Sequence, residues 1–225
     1  MVDMTTLIVG GTSGLGLALA KEFADAGDKV IATGRTDPPV DYLEFKKIDF
    51  SQPNVAENVN KIVSELPPIE RLVYAAGFWQ SGSITELSDE DIERKLNIGA
   101  RGLIYFARDL LKKDKNLNQL VTITSMSQWN PSKLEPIYNF IKAGSGNMSQ
   151  GLAKDGHIAK VLVVEPSDMK EGHDWTGTQQ DNKDTMLDKG WVAKQILNEL
   201  ERPFTYKAIQ ILRKPARVEV VETRD

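Results

Sequence analysis

Short apolar runs alternate along the whole chain with longer stretches in which apolar residues recur every three or four positions. Leu7, Ile8 and Val9 form the first run with no polar residue among them, the pattern of a strand buried on both faces. The same reading places further strands at 29–33, 45–48, 71–75, 120–124, 160–164 and 206–212. Helical periodicity falls between them, at 15–26, 55–66, 88–113, 136–153 and 185–200. Ser88-Asp89-Glu90-Asp91 marks one helix start: Ser88 is a cap, and the acids complement the positive end of the helix dipole. Residues 170–183 read as a polar loop and 216–221 as an extended tail. Single strands alternating with single helices predict an α/β protein. Right-handed crossovers make it a doubly wound parallel sheet of about seven strands with helices on both faces. No repeat, low-complexity tract or linker interrupts the alternation, so residues 1–225 are expected to form one domain.

Composition narrows the chemistry. The 225 residues are enough to bury a core without disulfides, and 40% hydrophobic with 27% charged residues is an ordinary globular balance. A net charge of −4 gives no general attraction to nucleic acid or anionic lipid, so neither is expected as a partner. The chain has no cysteine, which excludes a disulfide framework, a thiol nucleophile and a cysteine-ligated metal. With only His157 and His173 as imidazoles, a multi-histidine metal cluster is not expected either. The opening residues lack a charged segment followed by an apolar one, and no apolar run reaches the ~20 residues that span a bilayer. These features predict a soluble cytoplasmic protein.

Directly after the first strand comes Gly10-Gly11-Thr12-Ser13-Gly14-Leu15-Gly16, which opens the first helix. Glycines at such a turn let backbone approach a pyrophosphate, and the helix N-terminus offers free N–H groups and positive dipole. Thr12 and Ser13 add hydroxyl donors. The Gly-x-x-x-Gly-x-Gly spacing resembles the cofactor turn of the short-chain dehydrogenase/reductase family, with Val9 in place of the usual Thr. The resemblance runs over about residues 6–169 and implies a single-domain Rossmann fold that binds a nicotinamide dinucleotide. Under it, Asp49 and Phe50 meet the adenine, and Ala75, Ala76 and Gly77 pass beside the cofactor, with Tyr74 and Ala75 replacing the family's two asparagines. Gly34 stands where NAD-preferring relatives often carry Asp, and Arg35 brings positive charge to the ribose 2′ position. NADP(H) is therefore favoured over NAD(H), with Asp37 as the opposing feature.

Carbonyl reduction by a nicotinamide needs an acid at the oxygen. Tyr138 is the candidate, acting as base in the reverse direction. A phenol ordinarily titrates near pH 10, so bringing it to about 7 takes roughly 4 kcal/mol of preferential phenolate stabilisation. Lys142, four residues on, shares its helix face and is placed to contribute, and the positive nicotinamide ring of oxidised cofactor would add to the effect. Ser125, leaving the fifth strand, is placed to orient the substrate oxygen. The resemblance supplies the fourth member: Asn97, which in the family holds a water in a proton relay to the lysine.

Beyond the sixth strand the match thins. Pro166 is kept, Ser167 stands where Gly is usual, and Glu171 where a carboxamide-binding Thr is usual. Ser167, Asp168 or Met169 then meets the nicotinamide end, and 170–183 becomes the lid over the substrate. His173, Trp175 and Thr176 in that lid are either substrate contacts or surface residues. Phe78, Trp79 and Trp129 are either an aromatic pocket wall or packing residues. By analogy with the family, the two long helices imply a homodimer or homotetramer. The expected function is an NADP(H)-preferring oxidoreductase acting on a small carbonyl compound or secondary alcohol. The alternative is a dinucleotide-binding sensor or scaffold of the same fold without significant turnover.

Overall fold

The computed structural model describes residues 4–170 and 185–225. The proposed lid, with Glu171, His173, Trp175 and Thr176, lies outside the described residues. Eight strands join in one sheet: β1 (Thr5–Val9), β2 (Lys29–Gly34), β3 (Glu44–Lys47), β4 (Arg71–Tyr74), β5 (Leu117–Ile123), β6 (Ile158–Pro166), β7 (Tyr206–Leu212) and β8 (Arg217–Arg224). Their spatial order is β3-β2-β1-β4-β5-β6-β7-β8. All neighbours are parallel except β7 and β8, which pair antiparallel with a register shift at Ala208/Ile209. The expected tail is thus an eighth strand. Its sequence, Arg-Val-Glu-Val-Val-Glu-Thr-Arg, carries the charges that blunt an exposed sheet edge.

The helices divide between the faces. Core residues of α2 (Val55–Glu65) and α4 (Gly102–Asp114) join one apolar cluster, against which α5 (Pro136–Leu152) also packs. Those of α1 (Gly14–Asp25) and α6 (Lys189–Glu201) join the other. Strand alternation separates the two: Leu7 and Val9 point into the first cluster, Ile8 into the second. No described helix is long and apolar enough to cross a membrane.

The expected long helix from Ser88 is broken. α3 (Asp89–Leu96) begins as the pattern predicts, with Asp91 N donating to Ser88 Oγ at 3.1 Å. A π turn then occupies Asn97–Arg101 before α4 resumes the axis. The Tyr74 hydroxyl, at the end of β4, donates to the Ile98 carbonyl inside this turn. Gly102 makes room for it, since a Cβ there would collide with the phenol oxygen and lie 2.9 Å from the Phe50 ring. The residue that replaces an asparagine of the family pattern thus ties the end of a central strand to a π bulge.

At the opposite end of the sheet, Arg71 on β4 is buried with Asp28, and the two form an ion pair. Arg71 Nε donates to Gln119 Oε1 at 2.6 Å, Thr6 Oγ1 donates to Asp28 Oδ2 at 2.6 Å, and the guanidinium lies 4.4 Å from the Phe23 ring centre. This latch joins β1, β4, β5 and the turn after α1 far from the glycine turn.

Candidate active site

β1 and β4 are neighbours, and from them the sheet runs to β2 and β3 on one side and to β5 onward on the other. At such a reversal the loops leaving the strand ends diverge and leave a crevice, the usual ligand position in open α/β sheets. The crevice here is a cavity of about 480 Å³, within the range of small-molecule and cofactor sites, about 300–1,000 Å³. Every residue singled out in the sequence for cofactor contact or proton transfer lines it, except Asn97.

The glycine turn is built for close approach. Gly10 has φ +82°, and a Cβ on it would lie 2.7 Å from the Ala76 backbone; Gly14 has φ +57°. A Cβ on Gly16 would run into the Gly10 carbonyl. Ser13, the N-cap of α1, makes no side-chain cap bond, and no acid sits in the first helical turn. The positive helix end is therefore uncompensated by the chain itself and available to an anion. Thr33, on the cavity wall, has a buried Oγ1 with no partner among the described residues, while its carbonyl accepts from Gly10 N and Gly11 N. These features fit a dinucleotide.

At one end of the cavity a Cβ on Gly34 would collide with the Thr12 side chain, so this position has no room for the carboxylate that an NAD site often carries there. Arg35 follows on the cavity lining. Asp49 accepts from Ser51 N at 2.9 Å and Ser51 Oγ at 2.8 Å. Burial pushes its carboxyl up, but those two hydrogen bonds, aided by Arg35 and Arg94, hold it below the usual carboxylate value.

At the other end Ser125 leaves β5 into a 3-10 turn, where its Oγ accepts from Ser127 N at 3.1 Å. Tyr138 and Lys142 project from the first turns of α5. The Lys142 ammonium donates to the Ile123 carbonyl at 2.8 Å and lies 5.5 Å from the Tyr138 ring centre. Burial lowers the lysine to about 8. Burial likewise pushes the Tyr138 phenol up to about 12; a hydrogen bond with Ser125 opposes the rise, and the Glu135 and Asp168 carboxylates add to it. The chain alone therefore keeps Tyr138 protonated, the form that donates a proton. In the chain alone desolvation is the largest effect on the phenol; the positive nicotinamide ring on which the expected lowering also draws is not part of the chain.

Asn97 stands apart. It opens the π turn, and its Oδ1 accepts from Arg101 Nη1 at 2.7 Å. Phe78 and Trp79 line the cavity, which decides for the pocket wall. Trp129 does not: it is 58% exposed and donates to Glu165 at 2.7 Å, beside a second cavity of about 230 Å³. Arg94, Ser127, Glu135 and Lys189 are among the lining residues not singled out in the sequence. Glu135 immediately precedes Pro136, a helix-start signal that located α5 without saying where the carboxylate points.

A doubly wound sheet with a glycine turn at an open helix N-terminus and a half-buried tyrosine beside a buried lysine in one crevice is the arrangement of a nicotinamide-dependent oxidoreductase. A family model described as short chain dehydrogenase matches residues 4–177. The chain belongs to that family, and it is a dehydrogenase or reductase. It is 27% identical to an uncharacterized oxidoreductase of Staphylococcus saprophyticus over 98% of this chain and 95% of the relative. To an uncharacterized oxidoreductase of Bacillus subtilis it is 26% identical, covering 77% of this chain and 70% of the relative. Among solved structures, a short-chain dehydrogenase from Streptomyces avermitilis superposes with a TM-score of 0.78 at 22% identity, covering 92% of this chain and 88% of the other. The closed form of a serine dehydrogenase complexed with NADP+ gives 0.77 at 23%, covering 91% and 94%. These two structures share the fold.

Proposed function

We propose that the protein is an NADP(H)-preferring oxidoreductase that reduces a small carbonyl compound, or oxidises the corresponding secondary alcohol, in the crevice that holds Tyr138. The observation that carries this reading is the Lys142 ammonium, pinned by the Ile123 carbonyl and set beside the Tyr138 ring in the same cavity as the glycine turn. The nicotinamide dinucleotide, when bound, supplies or accepts the hydride.

The chain supplies the rest. Tyr138 gives its proton to the carbonyl oxygen, and its raised pKa keeps it loaded for that step. Ser125 directs its hydroxyl at the same oxygen. Lys142 binds the nicotinamide-side ribose and refills Tyr138; at about 8 its own proton is exchangeable near neutrality. Asn97 spends Oδ1 on Arg101, leaving Nδ2 to hold the water that links Lys142 to solvent. Gly10, Gly14 and Gly16, with Thr12, Ser13 and Leu15, cradle the pyrophosphate, and Asp49 and Phe50 meet the adenine. Ala75, Ala76 and Gly77 flank the cofactor, while Pro166, Ser167 and Met169 close over its nicotinamide end.

The NADP(H) preference is supported by the filled space at Gly34 and by Arg35 on the cavity lining. The same reading makes the protein cytoplasmic, and a homodimer or homotetramer through α4 and α5, whose Ile104 and Phe140 are 42% and 65% exposed. The test is a thermal shift with NADPH and NADH at equal concentration, followed by NADPH consumption across a panel of aldehydes and ketones. A larger shift with NADPH and turnover of at least one carbonyl are expected. A larger shift with NADH overturns the role given to Arg35, and no turnover across the panel overturns the substrate class.

A further inference from the structure

Glu135 occupies the N-cap of α5, where a side-chain oxygen ordinarily accepts from a backbone N–H of the first turn. Its carboxylate makes no such bond. It lines the cavity instead and accepts the Trp79 indole N–H on Oε1, a contact made across 56 positions of sequence. Oε2 takes no hydrogen bond from the described residues, and Glu135 forms no ion pair among them. Tyr138 lies three positions on and lines the same cavity, and the carboxylate acts electrostatically on its phenol.

Three of the neighbouring charged groups have polar partners of their own. Asp168, the other carboxylate acting on Tyr138, is paired with Arg213 at 3.0 Å. The Lys142 ammonium is held by the Ile123 carbonyl at 2.8 Å. Lys95, buried and within electrostatic reach of Glu135, donates to the Gln80 carbonyl at 2.9 Å. Arg35 and Arg94 act on Asp49, and Arg94 also stacks on Phe78 at 4.0 Å. Lys189 joins the lining from the start of α6, on the opposite side of the sheet from α5. Among the described residues Glu135 is thus the carboxylate acting on Tyr138 that is in no ion pair, and it lines the cavity where a substrate must sit.

We infer that Glu135 selects substrates that carry a protonated amine a short carbon chain away from the reacting carbon: an amino alcohol in one direction, an amino ketone in the other. This rests on the placement of the substrate oxygen at Tyr138. Glu135 and Tyr138 line one cavity and interact electrostatically, so an oxygen at Tyr138 and an ammonium at Oε2 can belong to one small molecule.

The experiment is calorimetric titration of the NADP+-loaded protein at pH 7 with 1-amino-2-propanol and with 2-butanol, which puts a methyl where the first has an ammonium. A charge-assisted hydrogen bond predicts that the amine binds about ten- to a hundredfold more tightly. Glu135→Gln should bring the ratio to near one, whereas Trp79→Phe, which removes the indole donor and keeps the carboxylate, should preserve a preference for the amine. A ratio near one in the unaltered protein, an unchanged ratio in Glu135→Gln, or no binding of either compound overturns the inference. Turnover of uncharged carbonyls without amine preference sinks this inference alone. Amine preference without any turnover sinks the oxidoreductase reading and leaves the ammonium site.

Discussion

Replacing Lys142 by Met should make the cofactor-free protein more stable at neutral pH while removing its activity. Lys142 is buried, and burial lowers it from the ordinary 10.5 to about 8. At ~1.36 kcal/mol per pH unit, that interval of 10.5 − 8 corresponds to about 3 kcal/mol spent on carrying the ammonium into the site. Met fills much the same volume without charge. It also strands the Ile123 carbonyl that the ammonium now satisfies at 2.8 Å, a loss of about 1 kcal/mol. The net gain is about 1–3 kcal/mol at pH 7, or several degrees in Tm at ~2–4 °C per kcal/mol for a chain of this size. The sign of the pH dependence follows from proton counting. Between pH 8 and 10.5 the unfolded lysine holds a proton that the folded one has released, so the unaltered protein gains stability as pH rises. The advantage of Lys142→Met should therefore shrink between pH 8 and 10 and reverse above, where only the loss of about 1 kcal/mol at the Ile123 carbonyl remains. Thermal melts of both proteins from pH 6.5 to 10 measure it. A Met variant less stable at pH 7, or an advantage independent of pH, would refute the reasoning.

Arg35→Ala should cut the discrimination between NADPH and NADH about tenfold or more, read as the ratio of their dissociation constants, because one charge-assisted contact to a phosphate is lost. Gly16→Ala drives a Cβ into the Gly10 carbonyl, so it should cost about 1–3 kcal/mol of stability and raise the dissociation constant of either cofactor. Arg71→Met leaves Asp28 buried without its partner; an unfolding loss of about 3–5 kcal/mol is expected in denaturant melts, with the spectrum of any bound NADPH unchanged.

What the sequence disclosed and what it concealed divide along physical lines. Strand and helix positions were legible because both faces of the sheet are covered, so β1 reads as the unbroken apolar run from Leu7 to Val9. The glycine turn was legible because only residues without a Cβ pass Ala76 and Gly10 so closely. The π turn at Asn97–Arg101 was hidden, since one extra residue barely disturbs a 3.6-residue period. Its cause lies in Tyr74, more than twenty positions earlier. β8 was blurred for a different reason: an edge strand carries charge at positions that would alternate in an interior one. Glu135 looked like any acid before a helix, because its direction is set by Trp79 across the cavity. The protonation of Tyr138 in the chain alone depends on surroundings that spacing does not show. Spacing located the lysine beside it but did not report how far both are removed from water.

The central claim is that Tyr138 is the proton donor of a working oxidoreductase, and Tyr138→Phe tests it most directly. The change removes one oxygen and keeps the ring beside Lys142. Two quantities are needed on the same preparation: the dissociation constant for NADPH, and the rate of NADPH oxidation with a carbonyl that the unaltered protein reduces. The account predicts a dissociation constant within about threefold of the original and a rate lowered by about 10²–10⁴-fold. A Phe variant that binds NADPH and turns over at the original rate would contradict it.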